Sequence, residues 1–469
     1  MTTDVAENPA LRAIFKAYDV RGTVPDQFNP AMAYAIGYGF ATFALTETSR
    51  QGRVPDILVV ARDMRDSGPE LIGAVIAGAT QAGLRVIDLG LASTDMLYFA
   101  SGVLASPGIM LTASHNPAGY NGMKFCLANA APVGEESGLL EVLAIAEQML
   151  SNVELPIVVP EVERRNLLDN FADHVRSFID VSTLRHLRIV ADTANGMGGL
   201  VAPSVFSGLP ATLDLLYGEL DGSFPNHPAD PIQPENLVDL QRRLLETGAD
   251  VGLAFDGDAD RVFLVDELGF ALSGSTTTAI VAAAMLQKHP GATVLYNCIC
   301  SKTVREVIEE RGGTGLRTRV GHSFIKEVMA ESDAVFGGEH SGHYYFRDNY
   351  RADSGIIAAL VVLEVLSVSG GTLSQLRAPF ERYVASGEIN NVVEDQRALI
   401  TLTKEHYGRL GAALDELDGL TVDFGPWWFN LRPSNTEPLL RLNVEAPTKD
   451  ECDRRVKEVL DLLGIESPL

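Results

Sequence analysis

The chain of 469 residues has a formal net charge of −25, with 46% hydrophobic and 21% charged residues. This balance excludes an intrinsically disordered chain, and the strong acidity argues against nucleic-acid binding and against docking on an anionic membrane. At roughly 150 residues per domain, the length predicts three or four domains.

The start of the chain and its cysteines indicate a cytoplasmic protein. Residues 1–12 contain acidic side chains and no apolar run, so we expect no signal peptide. The four cysteines form no C-x-x-C pair, which argues against a zinc site and a disulfide framework. The apolar stretch 356–368 contains Glu364 and is too short to cross a bilayer, so it predicts a buried helix.

One pattern of elements recurs three times along the chain. An apolar β-rich run is followed by a polar or glycine-rich loop, a helical stretch and a further strand, and the runs begin at Ile57, Leu187 and Thr293. Helices are expected near 69–82 and near 302–310. Strands that alternate with helices indicate parallel or mixed sheets covered on both faces. The repeats therefore predict three related mixed α/β domains.

The last part of the chain has a different order of elements, in which strands cluster. This order indicates a small α+β domain. Boundaries are expected near residues 155, 270 and 382. The predicted strands are 388–394, 420–424, 427–432 and 439–445, and the predicted helices are 396–417 and 449–463.

A serine and a histidine are neighbours in Thr112–Pro117 (TASHNP), directly after the apolar run Gly108–Leu111. Such a pair resembles a nucleophile with its base, but sequence neighbours seldom form that arrangement in space. The alternative is a polar turn closed by Asn-Pro. Both interpretations stay open for this segment alone.

Three carboxylates alternate in the segment Asp256–Arg261 (DGDADR), between the apolar runs 251–255 and 262–265. Crowded carboxylates repel one another unless a cation neutralises them, and hard oxygen ligands suit Mg²⁺ or Ca²⁺. An EF-hand is disfavoured because Arg261 stands where that loop needs glycine. A solvated acidic turn is the alternative, which the flanking apolar strands make less favourable.

Two further loops combine polar side chains with turn residues. Gly337–His343 (GGEHSGH) lacks the spacing of a helical zinc motif, and it could present Glu339, Ser341 and His343 to sugar hydroxyls. Arg432–Pro438 (RPSNTEP) could hold a phosphate, since a guanidinium matches two phosphate oxygens. The alternatives are a glycine-rich turn and a hairpin turn, respectively.

Taken in order, these motifs resemble those of the α-D-phosphohexomutase family. YDVRG, NGMK and VGHSFIK also match, so the resemblance covers nearly the whole chain. It implies three mixed α/β domains and a smaller C-terminal α+β domain around a central cleft. It also implies a phosphoserine loop in residues 1–155, a metal loop in 156–270, a sugar-recognition loop in 271–382 and a phosphate-binding loop in 383–469.

The resemblance implies roles for individual residues. Ser114 would carry the phosphoryl group and would hold Mg²⁺ together with Asp256, Asp258 and Asp260. Candidate catalytic groups besides Ser114 are His115, Lys124, Arg261 and His343. The positions that would contact the phosphoserine or the substrate are Arg21, His322, Glu339, Ser341, Arg432, Ser434, Asn435 and Thr436.

The implied reaction interconverts hexose 1-phosphate and hexose 6-phosphate through a hexose 1,6-bisphosphate, which also acts as activator. Asn435 and the sequence of the 337–343 loop favour mannose, with glucose as a second substrate. The alternatives are a phosphoglucosamine mutase and a catalytically silent protein that binds a phosphosugar or a metal.

The expected partner is a small phosphosugar, and the expected assembly is a monomer or homodimer. One departure from the family concerns Ile299, which stands where some bacterial members have lysine; Lys302 is a candidate to compensate.

Overall fold

The computed structural model describes residues 8–50, 56–154, 156–433 and 439–465, apart from the side chains of residues 48–50 and 322. Its contacts divide the chain into two units. The first unit is Met1–Leu272 with Gly342–Ser374, and the second is Ser273–Ser341 with Gln375–Leu469.

The first sheet of the first unit has the order β1-β5-β4-β2-β3-β7, with β6 beside β5. Strands β4, β2, β3 and β7 run parallel to one another. Strand β5 is antiparallel to its neighbours β1, β4 and β6. Helices α2, α3 and α5 pack around one apolar core with the sheet. The elements are α1 (Pro9–Ile14), β1 (Val20–Thr23), α2 (Pro30–Arg50), β2 (Ile57–Arg62), α3 (Gly68–Gln81), β3 (Arg85–Leu91), α4 (Thr94–Val103), β4 (Gly108–Leu111), β5 (Tyr120–Leu127), β6 (Ala131–Pro132), α5 (Leu139–Leu150) and β7 (Glu163–Arg164).

The second sheet of this unit has the order β11-β10-β8-β9. Strand β8 is parallel to both of its neighbours. Strands β10 and β11 form an antiparallel pair, and the segment between them, residues 256–261, is called the acidic loop. The elements are α6 (Leu168–Arg176), β8 (Leu187–Asp192), α7 (Gly198–Phe206), β9 (Ala211–Leu216), α8 (Val238–Thr247), β10 (Val251–Phe255) and β11 (Val262–Asp266).

The third repeat contributes a parallel sheet to the second unit, in the order β13-β12-β14. Strand β15 and helix α12 belong to the first unit, where α12 is the buried helix that the sequence predicts. The elements are α9 (Gly274–Lys288), β12 (Thr293–Asn297), α10 (Lys302–Glu310), β13 (Thr314–Thr318), α11 (His322–Ser332), β14 (Phe336–Gly338), β15 (Tyr344–Phe346), α12 (Gly355–Ser369) and α13 (Leu373–Arg377).

The C-terminal sheet is antiparallel, with the order β16-β20-β19-β18-β17. The predicted helix over 396–417 is too long. It ends at Arg409, because Gly411 turns the chain with a φ of +82°, and a short strand follows. The elements are β16 (Val384–Val392), α14 (Gln396–Arg409), β17 (Ala413–Asp415), β18 (Leu420–Asp423), β19 (Trp428–Pro433), β20 (Leu439–Ala446) and α15 (Lys449–Leu463).

The predicted fold class, α/β domains followed by an α+β domain, is confirmed. The domain boundaries near 155, 270 and 382 stay predictions; the first sheet continues beyond 155, because β7 pairs with β3. Within the described ranges, no single helix has the length and hydropathy of a membrane span. One bent pair of helices, Gly355–Ser369 with Leu373–Phe380, passes that test by length and composition only.

Candidate active site

The acidic loop joins two strands that are buried along their whole length, β10 and β11. Since Phe255 pairs with Val262, the loop between them is short and its side chains crowd together. Asp256, Asp258 and Asp260 are at most 1% exposed, and each offers one carboxylate oxygen within 4.8 Å of the others. Three carboxylates this close and this dry require positive charge beside them.

The structure gives this cluster two cations of its own. Lys124 Nζ lies 2.8 Å from Asp258 Oδ2 and 2.5 Å from Asp260 Oδ2. Arg261 Nε donates to Asp256 Oδ2 at 2.9 Å. Burial raises the pKa of Asp256 even with Arg261 beside it. Burial would also raise the pKa of Asp258, but Lys124 and a hydrogen bond from Thr94 hold it well below its usual range.

The remaining carboxylate oxygens fit a divalent cation. Asp258 Oδ1 and Asp260 Oδ1 are buried and have no hydrogen-bond donor among the described residues. A buried carboxylate oxygen without a donor is costly, and a hard cation with oxygen ligands removes that cost. The three aspartates therefore supply a donor set of the type that Mg²⁺ takes in proteins.

Ser114 lies directly against this loop. Its side chain hydroxyl donates to Asp256 Oδ2 at 2.9 Å, and its backbone N–H donates to Thr112 Oγ1 at 2.9 Å. The residue is 3% exposed and has a φ of +49°. A Cβ at Gly257 would lie 2.4 Å from the Ser114 carbonyl oxygen, so the glycine of the acidic loop permits this close approach.

The strands of the first sheet bring further predicted residues to Ser114. Lys124 lies on β5 opposite Met110, and Arg21 lies on β1 opposite Gly122. Arg21 binds Asp19 at 2.8 Å and Asn116 Oδ1 at 2.5 Å. His115 Nδ1 is 3.3 Å from Ser114 Oγ, and burial, with Arg261 and Arg21 nearby, lowers the pKa of His115 well below its usual range.

His343 completes the group in the first unit. Its Nε2 is 3.8 Å from Asp260 Oδ1 and 4.0 Å from Asp353 Oδ2. Arg261 also lies 3.6 Å from Asp230. The first unit thus brings together Ser114 with the predicted residues Arg21, His115, Lys124, Asp256, Asp258, Asp260, Arg261 and His343.

The other predicted residues belong to the second unit. Buried Glu339 follows β14 and accepts hydrogen bonds from Asn297 Nδ2 and from the backbone N–H of Gly321, each at 3.1 Å. These bonds fix the carboxylate of the 337–343 loop. Ser341 is partly exposed in the same loop. His322 begins α11, and its side chain lies outside the described residues.

Arg432 lies at the end of β19 and donates to Glu388 Oε2 at 2.9 Å. Its buried Nε has no acceptor in the part of the chain that the structure describes, as an anion-binding group would require. Ser434, Asn435 and Thr436 lie outside the described residues.

Lys302, the candidate to compensate for Ile299, is paired with the C-terminal part of the chain. Its Nζ lies 3.0 Å from Asp423 Oδ1 and also donates to the Gly425 carbonyl, so it binds the C-terminal domain. Ile299 itself is buried.

The sequence analysis missed several residues that contact this site. Thr94 begins α4, and its hydroxyl donates to Asp258 Oδ2 at 2.5 Å. Arg65 donates to the Ser114 carbonyl at 2.8 Å, and Asp353 and Asp230 lie beside His343 and Arg261. The only signal for Arg65 was its place in the polar loop that follows the first apolar run.

Comparison with known proteins gives consistent matches along the chain. Models of the phosphoglucomutase/phosphomannomutase α/β/α domains I, II and III match residues 12–150, 135–269 and 273–383, and that of the C-terminal domain matches 388–462.

Individual relatives cover almost the whole chain. A Xanthomonas campestris protein named "Phosphohexose mutases" is 39% identical over 457 residues, covering 96% of this chain and 98% of that protein. The Escherichia coli K12 "Phosphomannomutase" is 38% identical over 444 residues, covering 92% and 94%. The crystal structure of a phosphoglucomutase/phosphomannomutase family protein from Burkholderia thailandensis has a TM-score of 0.85 at 31% identity, covering 98% and 99%. The chain therefore belongs to the phosphoglucomutase/phosphomannomutase family, the α-D-phosphohexomutases.

Proposed function

We propose that the protein interconverts hexose 1-phosphate and hexose 6-phosphate, with mannose as the preferred sugar and glucose as a second substrate. The observation that carries this proposal is the hydrogen bond from the Ser114 hydroxyl to Asp256, beside Asp258 and Asp260, each of which has a buried carboxylate oxygen without a donor among the described residues. A buried serine beside a cation site can carry a phosphoryl group, because the negative charge of that group is offset where it is held. The names of the relatives support the same reaction.

In the proposed reaction Ser114 starts as a phosphoserine. The free hydroxyl of the sugar phosphate attacks phosphorus, the bond from phosphorus to Ser114 Oγ breaks, and a hexose 1,6-bisphosphate forms. After the intermediate turns over, Ser114 Oγ attacks its other phosphate and restores the phosphoserine. A free hexose 1,6-bisphosphate would serve as activator by phosphorylating Ser114.

The residues around Ser114 supply charge and proton exchange. Ser114, Asp256, Asp258 and Asp260 would hold Mg²⁺, which when bound supplies fixed positive charge near the phosphoryl oxygens. Arg21, Arg261 and His115 line the same position and would orient the phosphoryl group. Lys124 and His343 are the proposed groups that exchange the proton of the sugar hydroxyl, because both lie beside the acidic loop.

The second unit would recognise the substrate. Glu339 and Ser341 would bind sugar hydroxyls, with the Glu339 carboxylate already fixed by Asn297. Arg432 and its following loop would hold the phosphate that is not transferred, with Ser434, Asn435, Thr436 and His322 as further contacts.

³¹P NMR of the purified protein tests the proposal directly. Mannose 1-phosphate, glucose 1-phosphate and glucosamine 1-phosphate are supplied separately with Mg²⁺ and a trace of glucose 1,6-bisphosphate. We expect the 6-phosphate to appear fastest from mannose 1-phosphate and more slowly from glucose 1-phosphate. Fastest conversion of glucosamine 1-phosphate would overturn the sugar assignment, and no conversion of any of the three would overturn the reaction.

A further inference from the structure

The loop after β2 contains an arginine whose side chain is completely buried under the Ser114 loop, Arg65. We infer that Arg65 is a positioning residue for Ser114: its guanidinium fixes the backbone of residues 114–120, so that the hydroxyl faces the acidic loop. This inference rests on the proposed function of Ser114.

Every N–H of this guanidinium has an acceptor. Nη2 donates to the carbonyls of Ser114 at 2.8 Å and Asn116 at 2.7 Å. Nη1 donates to the carbonyls of Pro117 at 2.8 Å and Tyr120 at 2.9 Å. Nε donates to Asp63 Oδ2 at 3.2 Å. A guanidinium has five N–H donors, so this set uses all of them.

The four carbonyls explain why a cation is needed at this position. Their oxygens converge on one point beneath the loop and would repel one another without a donor between them. Ser114 also has a φ of +49°, a conformation that costs about 1 kcal/mol or more outside glycine and persists only where neighbouring groups impose it. The hydrogen bonds from Arg65 to the carbonyls impose this conformation, while Asp256 accepts a hydrogen bond from the Ser114 hydroxyl.

Arg65 is itself held in place on several sides. The Asp63 carboxylate accepts from both the backbone N–H and Nε of Arg65. The ring of Phe224 lies 5.2 Å from the guanidinium carbon. A Cβ at Gly222 would lie 2.6 Å from the Arg65 Cα, so the segment that carries Phe224 packs against the backbone. Because the Arg65 side chain is held in one position, its hydrogen bonds can hold the backbone of residues 114–120 in one conformation.

Lysine cannot reproduce this arrangement. It keeps the charge, but its three N–H donors radiate from one nitrogen and cannot serve five acceptors that surround a planar fork. Arg65→Lys therefore keeps the positive charge and removes the hydrogen-bonding geometry of the guanidinium. A displacement of the nucleophile by about 1 Å can cost about 100-fold in rate.

The test compares Arg65→Lys and Arg65→Met with Arg176→Lys. Arg176 is the matched control, because its guanidinium also binds a set of backbone carbonyls, those of Ser204, Val205 and Ser207, away from the Ser114 loop. We expect kcat with mannose 1-phosphate to fall about 100-fold in both Arg65 variants, with KM within about threefold of wild type. Arg176→Lys should lower the thermal midpoint and leave kcat within about twofold.

Hydrogen exchange of residues 112–122 gives a readout that does not depend on turnover. We expect faster exchange there in both Arg65 variants and unchanged exchange in Arg176→Lys. Wild-type kcat in Arg65→Lys, or unchanged exchange in that segment, would overturn the inference. If the Arg65 variants do not fold, Phe224→Leu is used instead, since it removes the ring that lies beside the Arg65 guanidinium. Its kcat and the hydrogen exchange of residues 112–122 are then measured. An inactive wild type would instead overturn the proposed function, and the exchange would still decide on Arg65.

Discussion

At Ser114 the backbone and the hydroxyl are determined by different neighbours. Arg65 binds the carbonyl from below, Thr112 accepts from the N–H, and Asp256 accepts from Oγ. The residue is buried, so its hydroxyl meets the carboxylate with little competition from water. This arrangement makes the hydroxyl replaceable without loss of the fold, whereas the space around it is tightly limited.

Replacing the serine tests the phosphoserine directly. We expect Ser114→Ala to lower kcat by at least about 1,000-fold, because the variant lacks the hydroxyl that would carry the phosphoryl group. The thermal midpoint should change little. The measurement is the coupled mutase assay together with thermal unfolding. Ser151→Ala, at the end of α5, is the control and should be fully active. Retained turnover in Ser114→Ala would exclude the phosphoserine.

The close approach at Gly257 gives a second prediction. In Gly257→Ala the new Cβ would meet the Ser114 carbonyl at 2.4 Å, so the serine loop or the acidic loop must move. We expect kcat to fall about 100-fold. Gly119→Ala is the matched control, because a Cβ there meets nothing within 4 Å, and it should keep kcat within about twofold. Equal activity of the two variants would show that this contact does not position Ser114.

At the scale of the elements, α4 and α12 meet at a buried carboxylate. Asp95 in the first turn of α4 accepts hydrogen bonds from Ser93, which caps α4, and from Ser354, which caps α12, the latter at 2.6 Å. Both helices thus share one acidic group at their N-termini, where the helix dipoles favour negative charge. Burial nevertheless raises the pKa of Asp95 to about 7.

This pKa predicts a pH dependence of stability. An unfolded aspartate has a pKa of about 3.9, so folding favours the protonated form, and the contribution of Asp95 is lost as the pH rises through about 7. Asp95→Asn stays neutral. We expect its stability relative to wild type to increase from pH 5 to about pH 7, by at most about 1.4 kcal/mol per pH unit, and to stay constant from there to pH 8. Thermal unfolding across that range measures it.

The control for this prediction is an exposed aspartate, Asp56, which pairs with Arg85 at the surface. Asp56→Asn should differ from wild type by a constant amount across the same pH range. A constant difference for Asp95→Asn as well would contradict the assignment of a raised pKa to Asp95.

At the scale of the whole molecule, the charged groups are distributed unevenly. The chain carries 62 acidic and 37 Lys and Arg residues, yet Arg21, Lys124 and Arg261 all lie around Ser114 in the first unit. These cations are paired with carboxylates of the site, so they offset its negative charge, and a bound divalent cation would supply the further positive charge that an anionic substrate needs. The acidic loop also lies in the first unit, so a bound cation should stabilise that unit in particular.

Removal of the metal tests this expectation. Excess chelator should stop turnover, and Mg²⁺ should restore it. Because a ligand stabilises the state that binds it, Mg²⁺ should slow hydrogen exchange in β10, β11 and the loop between them. Strands β18–β20 of the C-terminal domain serve as the internal control and should exchange as before. Full turnover with excess chelator, or slowing that omits the acidic loop, would contradict the three-aspartate site.

Much of the fold could be read from the sequence, because its determinants are local. Apolar runs and the loops after them predicted α10 and α15 with their observed bounds, and the residue at which β12 begins. The error in α14 arose because the stretch after Arg409 keeps apolar side chains at a helical spacing, while Gly411 ends the helix. Compact motifs likewise pointed to Ser114 and the three aspartates, since each motif carries its chemistry in a few neighbouring residues.

The tertiary structure alone decided which residues support those motifs. Arg65, Thr94 and Asp353 stand in segments without a recognisable pattern, and they reach the site only because strands β2 and β4 and helices α4 and α12 fold beside it. It also decided that Lys302, the candidate to compensate for Ile299, pairs with Asp423. The sequence by itself determined the family and the fold class and predicted the reacting groups; long-range packing decided the contacts that support those groups, because the contacts join residues far apart in the chain.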